Sequence, residues 1–185
     1  MNSKVIYTEE IDDLNEAVDE LTAQLADFEL QKNSLAILFT EEETEYPKLY
    51  EMLAAKWDFP MIGCTAMAML LGEEGYCSTG ISVLILTADD CAFTVGMTDE
   101  LDVDNYEAEI TDTYKGLQSQ LDSQVKLILS YGGMVTDERN VAGDNLVSAL
   151  NAAAGGGVPI YGATASDGFT FDGFRIFCNG KVTKN

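Results

Sequence analysis

Two seven-residue segments hold the groups best placed for chemistry. Pro60-Met61-Ile62-Gly63-Cys64-Thr65-Ala66 and Pro159-Ile160-Tyr161-Gly162-Ala163-Thr164-Ala165 share Pro, Gly, Thr and Ala at a constant offset of 99 residues. In each, proline presets φ and cannot donate to a ladder, which suits the first residue of a strand. Glycine lets main chain or ligand approach closely. Threonine offers a hydroxyl, with backbone N–H groups beside it, at the carboxyl end of the strand, where open α/β sheets form ligand crevices. The second segment runs on into Ser166, Asp167 and Gly168, which adds a hydroxyl and a carboxylate. Two readings stand side by side: tight turns that keep strands apart, or twin walls of one ligand pocket. Asp167 divides the same way, between capping its own turn and fixing a ligand ammonium. Arg139, one of only two arginines, lies in the loop 132–140. A lone guanidinium there either clamps a ligand carboxylate bidentately or neutralises Asp137, Glu138 and Asp144.

Composition removes many alternatives. The absence of histidine eliminates Ser-His and Cys-His dyads and imidazole metal ligands. With 10 Lys+Arg against 32 Asp+Glu, the net charge of −22 repels phosphate backbones and anionic membrane surfaces, so neither nucleic acid nor membrane is an expected partner. No apolar run reaches the ~20 residues of a membrane helix, and no signal-peptide core opens the chain. Cys64, Cys77, Cys91 and Cys178 show no C-x-x-C spacing and read as free thiols in a reducing, cytoplasmic setting. The acidic pairs Asp12-Asp13, Glu73-Glu74 and Asp89-Asp90 and the run 99–104 lack EF-hand spacing, so no metal or other cofactor is expected. Gly155-Gly156-Gly157 precedes a strand rather than a helix, the reverse of a phosphate-binding loop.

The elements that must position the twin turns recur in order. Lys4–Tyr7 is a short strand, and Thr8 caps a helix with Glu9 and Glu10 in its first turn. Ile11, Leu14, Val18, Leu21, Leu25 and Phe28 form its apolar stripe. Ser34–Thr40 is apolar throughout, as in a strand covered on both faces. Tyr46, Leu49, Tyr50, Leu53 and Trp57 mark a second helix, and Ile81–Thr87 another strand. The later half repeats this pattern: a strand at Cys91–Gly96, a capping box at Asp104 and Glu107, a stripe at Ile110, Tyr114, Leu117 and Leu121, a strand at Val125–Tyr131, a helix at Val141–Ala153 and a strand at Phe174–Cys178. The pattern predicts one α/β domain over residues 1–185. It is a pseudo-symmetric duplication of a β-α-β-α-β-β unit, with repeats at about 1–89 and 90–185 and mixed sheet flanked by helices.

These segments, with the LAILFT strand, the aromatic strand Phe174-Arg175-Ile176-Phe177 and the following Asn179-Gly180-Lys181-Val182, resemble the N-terminal part of the FIST domain, a prokaryotic sensory module of signal transduction. The resemblance implies a non-catalytic domain that binds a small ligand, with amino acids suggested, and that acts with downstream signalling proteins. It places ligand contacts on Gly63, Cys64, Thr65 and Ala66 of the first turn and on Gly162, Ala163, Thr164, Ser166 and Asp167 of the second. Ala163 stands where family members often carry a further glycine. Arg139 joins the set as a carboxylate clamp. An enzymatic alternative follows from Gly63-Cys64-Thr65, which is similar to the Gly-Cys-Thr of cofactor-independent aspartate/glutamate racemases. That chemistry needs a second base, and the second turn offers Ala163 in place of a cysteine. A third class is an acidic protein-interaction module that docks a basic partner.

Overall fold

Ser34–Thr40 has no polar face, and it becomes the buried centre of a six-stranded sheet as β2 (Asn33–Thr40). The computed structural model describes residues 1–71, 75–133, 138–171 and 173–184; the candidates Glu73, Glu74 and Asp137 lie outside them. β3 (Met61–Thr65) runs parallel to β2 on one side, and β6 (Ile81–Ala88) antiparallel on the other. β1 (Asn2–Thr8) closes the β6 edge, while β9 (Ile176–Cys178) and β10 (Lys181–Thr183) extend the sheet beyond β3. The order is β1-β6-β2-β3-β9-β10.

Two helices pack on this sheet, α1 (Leu14–Leu25) and α2 (Tyr46–Ala54). The α1 stripe Leu14, Val18, Leu21 and Leu25 is buried against Ile6, Leu38, Ile81, Val83 and Ile85, and each such side chain contributes about 1.5–3 kcal/mol. From the far end of the chain, Phe177 stacks on Tyr46 with ring centroids 3.8 Å apart. Thr8 ends β1 rather than capping the first helix. Its hydroxyl bonds Glu20 and accepts the Glu10 N–H. Asp13 takes over the N-cap, its Oδ1 accepting the Asn15 N–H at 2.9 Å.

Residues 106–164 form a smaller body. α3 (Tyr106–Gln118) packs on α4 (Gly143–Ala153), and β7 (Ile128–Gly132) pairs in parallel with β8 (Ile160–Thr164) as a separate two-stranded sheet. A hairpin of β4 (Met69–Leu70) and β5 (Tyr76–Cys77) precedes β6. The architecture is thus mixed α/β, with a six-stranded mixed sheet and, among the described residues, four helices. The later half does not repeat the earlier one in full. Residues 91–98 enter no ladder among the described residues, so the expected Cys91–Gly96 strand has no partner. The Asp104–Glu107 box gives way to Asp102, whose Oδ1 accepts the N–H groups of Asp104 and Asn105 just ahead of α3. No described helix is long and apolar enough to cross a membrane.

Candidate functional site

Both proline-led segments fold the same way. The Pro60 carbonyl accepts the Ala36 N–H at 3.0 Å, and the Pro159 carbonyl accepts the Ile128 N–H at 3.0 Å. Leu38 then lies opposite Gly63, and Ser130 opposite Gly162. A Cβ on Gly63 would sit 1.8 Å from the Leu38 oxygen, and one on Gly162 would sit 1.7 Å from the Ser130 oxygen. Only glycine lets the paired backbones come this close. Each segment leaves its strand with the same bond, Ala66 N–H to the Thr40 carbonyl and Ala165 N–H to the Gly132 carbonyl, both 2.8 Å.

Beyond these exits the two turns meet. The Ser166 N–H donates to the Thr65 carbonyl at 3.0 Å, and the Met67 N–H donates to Ser166 Oγ at 3.1 Å. Beneath the junction, Cys64, Ala165, Phe174 and Ile176 form a small apolar cluster; Phe39 and Tyr131 pack against it and meet each other edge-to-face. Thr65 is buried, and its hydroxyl is used in the β3–β9 pairing, accepting the Arg175 N–H at 2.9 Å. Asp167, only 3% exposed, accepts the Thr170 hydroxyl and the Gly173 N–H, each at 2.9 Å, so this carboxylate shapes its own loop. Gly162, Ala163 and Thr164 lie exposed along β8. Burial pushes the Cys64 thiol up to about 12, which keeps it protonated at neutral pH.

Arg139 is held elsewhere. Its guanidinium pairs with Asp102 and, at 2.9 Å, with Asp104, which ties its loop to the start of α3. Asp102 and Asp104 are not among the carboxylates expected for this neutralising role; they reach Arg139 because the loop ahead of α3 folds back onto it, with the Val103 N–H bonded to the Arg139 carbonyl, while Asp137 lies outside the described residues.

Three further groups at the junction escape a sequence reading. Thr40, at the carboxyl end of β2, is fully buried, and its hydroxyl has no partner among the described residues. Next to it, Glu41 accepts the Gly80 N–H at 2.8 Å, and Glu42 reaches the second turn, accepting the Gly168 N–H at 3.2 Å. Their only signal in the sequence is position, directly after the apolar LAILFT run. Together with Asp167 they make the junction strongly acidic, with glycine N–H groups aimed at carboxylate oxygens.

A cavity of about 200 Å³ lies apart from these groups. Its walls include Tyr114 and Leu117 of α3, Leu146 and Leu150 of α4, Leu129 of β7 and Ile176 of β9. No charged side chain lines it among the described residues, and none of the ten residues expected to bind ligand does so. The described residues contain no cluster of acidic or sulfur ligands that would hold a metal.

A family model described as the FIST N domain matches residues 34–185. No curated protein and no solved structure matches the chain.

Proposed function

The chain belongs to the FIST N domain family, a family of signal-transduction sensory domains, and from that premise we propose that it is a non-catalytic module that senses a small amine-bearing metabolite, an amino acid being the best fit, at the junction of its twin turns. The observation that carries this reading is the direct contact between the turns, Ser166 N–H to Thr65 carbonyl, at the carboxyl ends of both parallel strand pairs. Such ends are where open sheets take ligands. The surrounding Glu41, Glu42 and Asp167 favour a cationic group. The glycine N–H groups that Glu41 and Glu42 now satisfy suit a ligand carboxylate of the same chemistry. Exchange of one carboxylate for another would free the glutamates to pair with the ligand ammonium. It would also loosen the tie between β2 and the second turn, so binding would favour one arrangement of that turn over another. The buried unpartnered Thr40 hydroxyl offers a further polar contact.

A racemase reading is less well supported. The Cys64 thiol is buried and its pKa is raised, its counterpart in the second turn is Ala163, and the chain has no histidine. Calorimetry against the proteinogenic amino acids tests the proposal. Glu42→Gln keeps an acceptor for Gly168 but removes the charge, and should weaken binding about tenfold, the worth of one charge-assisted contact. Equal affinity in wild type and variant would place the ligand elsewhere.

A further inference from the structure

The β7–β8 pair reproduces the β2–β3 pair in register and in its entry and exit bonds, yet among the described residues it stands as a two-stranded sheet, whereas β2 is flanked by β6. We propose that the open edge of β7 is a slot for an antiparallel strand from a partner polypeptide, chemically like β6. Two features around the slot parallel those around β6. β6 lies between β1 and β2, pairing with both. In the later half, residues 91–98 take the place of β1 ahead of a helix but pair with no strand among the described residues. Gln24 of α1 holds the Tyr7 backbone, and Gln120, just past α3, accepts the Thr94 hydroxyl at 3.2 Å.

The hydrogen-bonding direction agrees. The Ile128 N–H and the Gly132 carbonyl are spent toward β8. Because strand backbone groups alternate in direction, those of Leu129 and Tyr131 face the open edge. Side-chain space agrees as well. Ile81, Val83 and Ile85 of β6 fill the core beneath the α1 stripe of Leu14, Val18 and Leu21. The corresponding stripe of α3, Ile110, Tyr114 and Leu117, borders the 200 Å³ cavity instead. The occupant is therefore a strand with apolar residues at alternate positions and no charge at its centre, since the walls carry none. Two strands alone make a marginal sheet, and a strand added to an edge gains main-chain bonds together with pockets for alternate side chains.

A fluorescein-labelled peptide carrying Ile81–Ala88 between lysine pairs, titrated into the full chain, tests the slot. The slot predicts saturable anisotropy and slowed hydrogen exchange at the Leu129 and Tyr131 amides and across residues 91–98. The same peptide N-methylated on the face meant for β7 should bind at least about tenfold more weakly. Thr113→Trp, which fills the cavity from α3, should weaken the parent peptide by a similar factor; if that variant does not fold, the N-methyl comparison decides alone. No saturation up to about 1 mM peptide, equal binding of the N-methylated form, or protection confined to other strands would each overturn the proposal.

Discussion

Gly63→Ala puts a methyl carbon 1.8 Å from the Leu38 oxygen, where an ordinary carbon–oxygen contact needs about 3.3 Å. β3 would have to draw back from β2 by more than an ångström, and it has nowhere to go. On its other side Gly63 pairs with Phe177, whose ring is stacked on Tyr46 in the main core. Overpacking of this kind costs about 1–3 kcal/mol, and each ladder bond lost adds about 1 kcal/mol. A loss of about 3 kcal/mol or more follows, which for a chain of this length lowers Tm by about 6–12 °C. Gly162→Ala creates the same clash, 1.7 Å from the Ser130 oxygen, but among the described residues β8 is paired on one side only and can yield. Its cost should be about 1–2 kcal/mol. Urea and thermal denaturation followed by circular dichroism measure both. A Gly63→Ala variant within about 0.5 kcal/mol of wild type, or a Gly162→Ala variant that suffers more, would refute this reasoning about which backbone can move.

Three other outcomes follow from the same geometry. In the native chain at pH 8, an aromatic disulfide reagent should titrate Cys77 and Cys91 quickly, with buried Cys64 and Cys178 reacting only on unfolding; four fast thiols would contradict the packing. Arg139 holds the Asp102 carboxyl below the usual carboxylate range, so its contribution is present above about pH 4 and fades as pH falls through the lowered folded value. The difference in urea midpoint between wild type and Arg139→Ala should accordingly be widest near neutrality and close in acid, and a gap that widens on acidification would exclude the pairing. Raising ionic strength should raise Tm, because a net charge of −22 repels itself; if the acidic surface also docks a basic partner, that affinity should fall steeply over the same salt range.

How much of this was legible in the sequence depended on the range of the interaction. Pro60, Gly63, Thr65 and Ala66 and their counterparts announce local turn chemistry, and their strands lie in the expected places with matching register. The α1 stripe was equally plain, because 3.6-residue periodicity is a property of the helix itself. Thr8 was misleading because two residue types compete for one role, and Asp13 stands nearer the first buried leucine. Cys91–Gly96 has a strand's composition but no partner among the described residues, and a strand exists only by pairing. The acidic rim could not be foreseen either. Glu42 and Gly168 are 126 residues apart and meet only because the two turns do. Arg139 faced several acidic neighbours of equal merit in sequence, and the fold of the loop before α3 selected Asp102 and Asp104.

Whether a metabolite first touches the chain at the junction of the two turns is decided by an amide-resolved NMR titration with the amino acid that calorimetry identifies. The Gly80, Ser166 and Gly168 resonances should shift together along one saturating curve, while the amides of α3 and α4 stay fixed. Saturable shifts centred on Tyr114, Leu117 and Leu146, with the three junction amides unmoved, would contradict it.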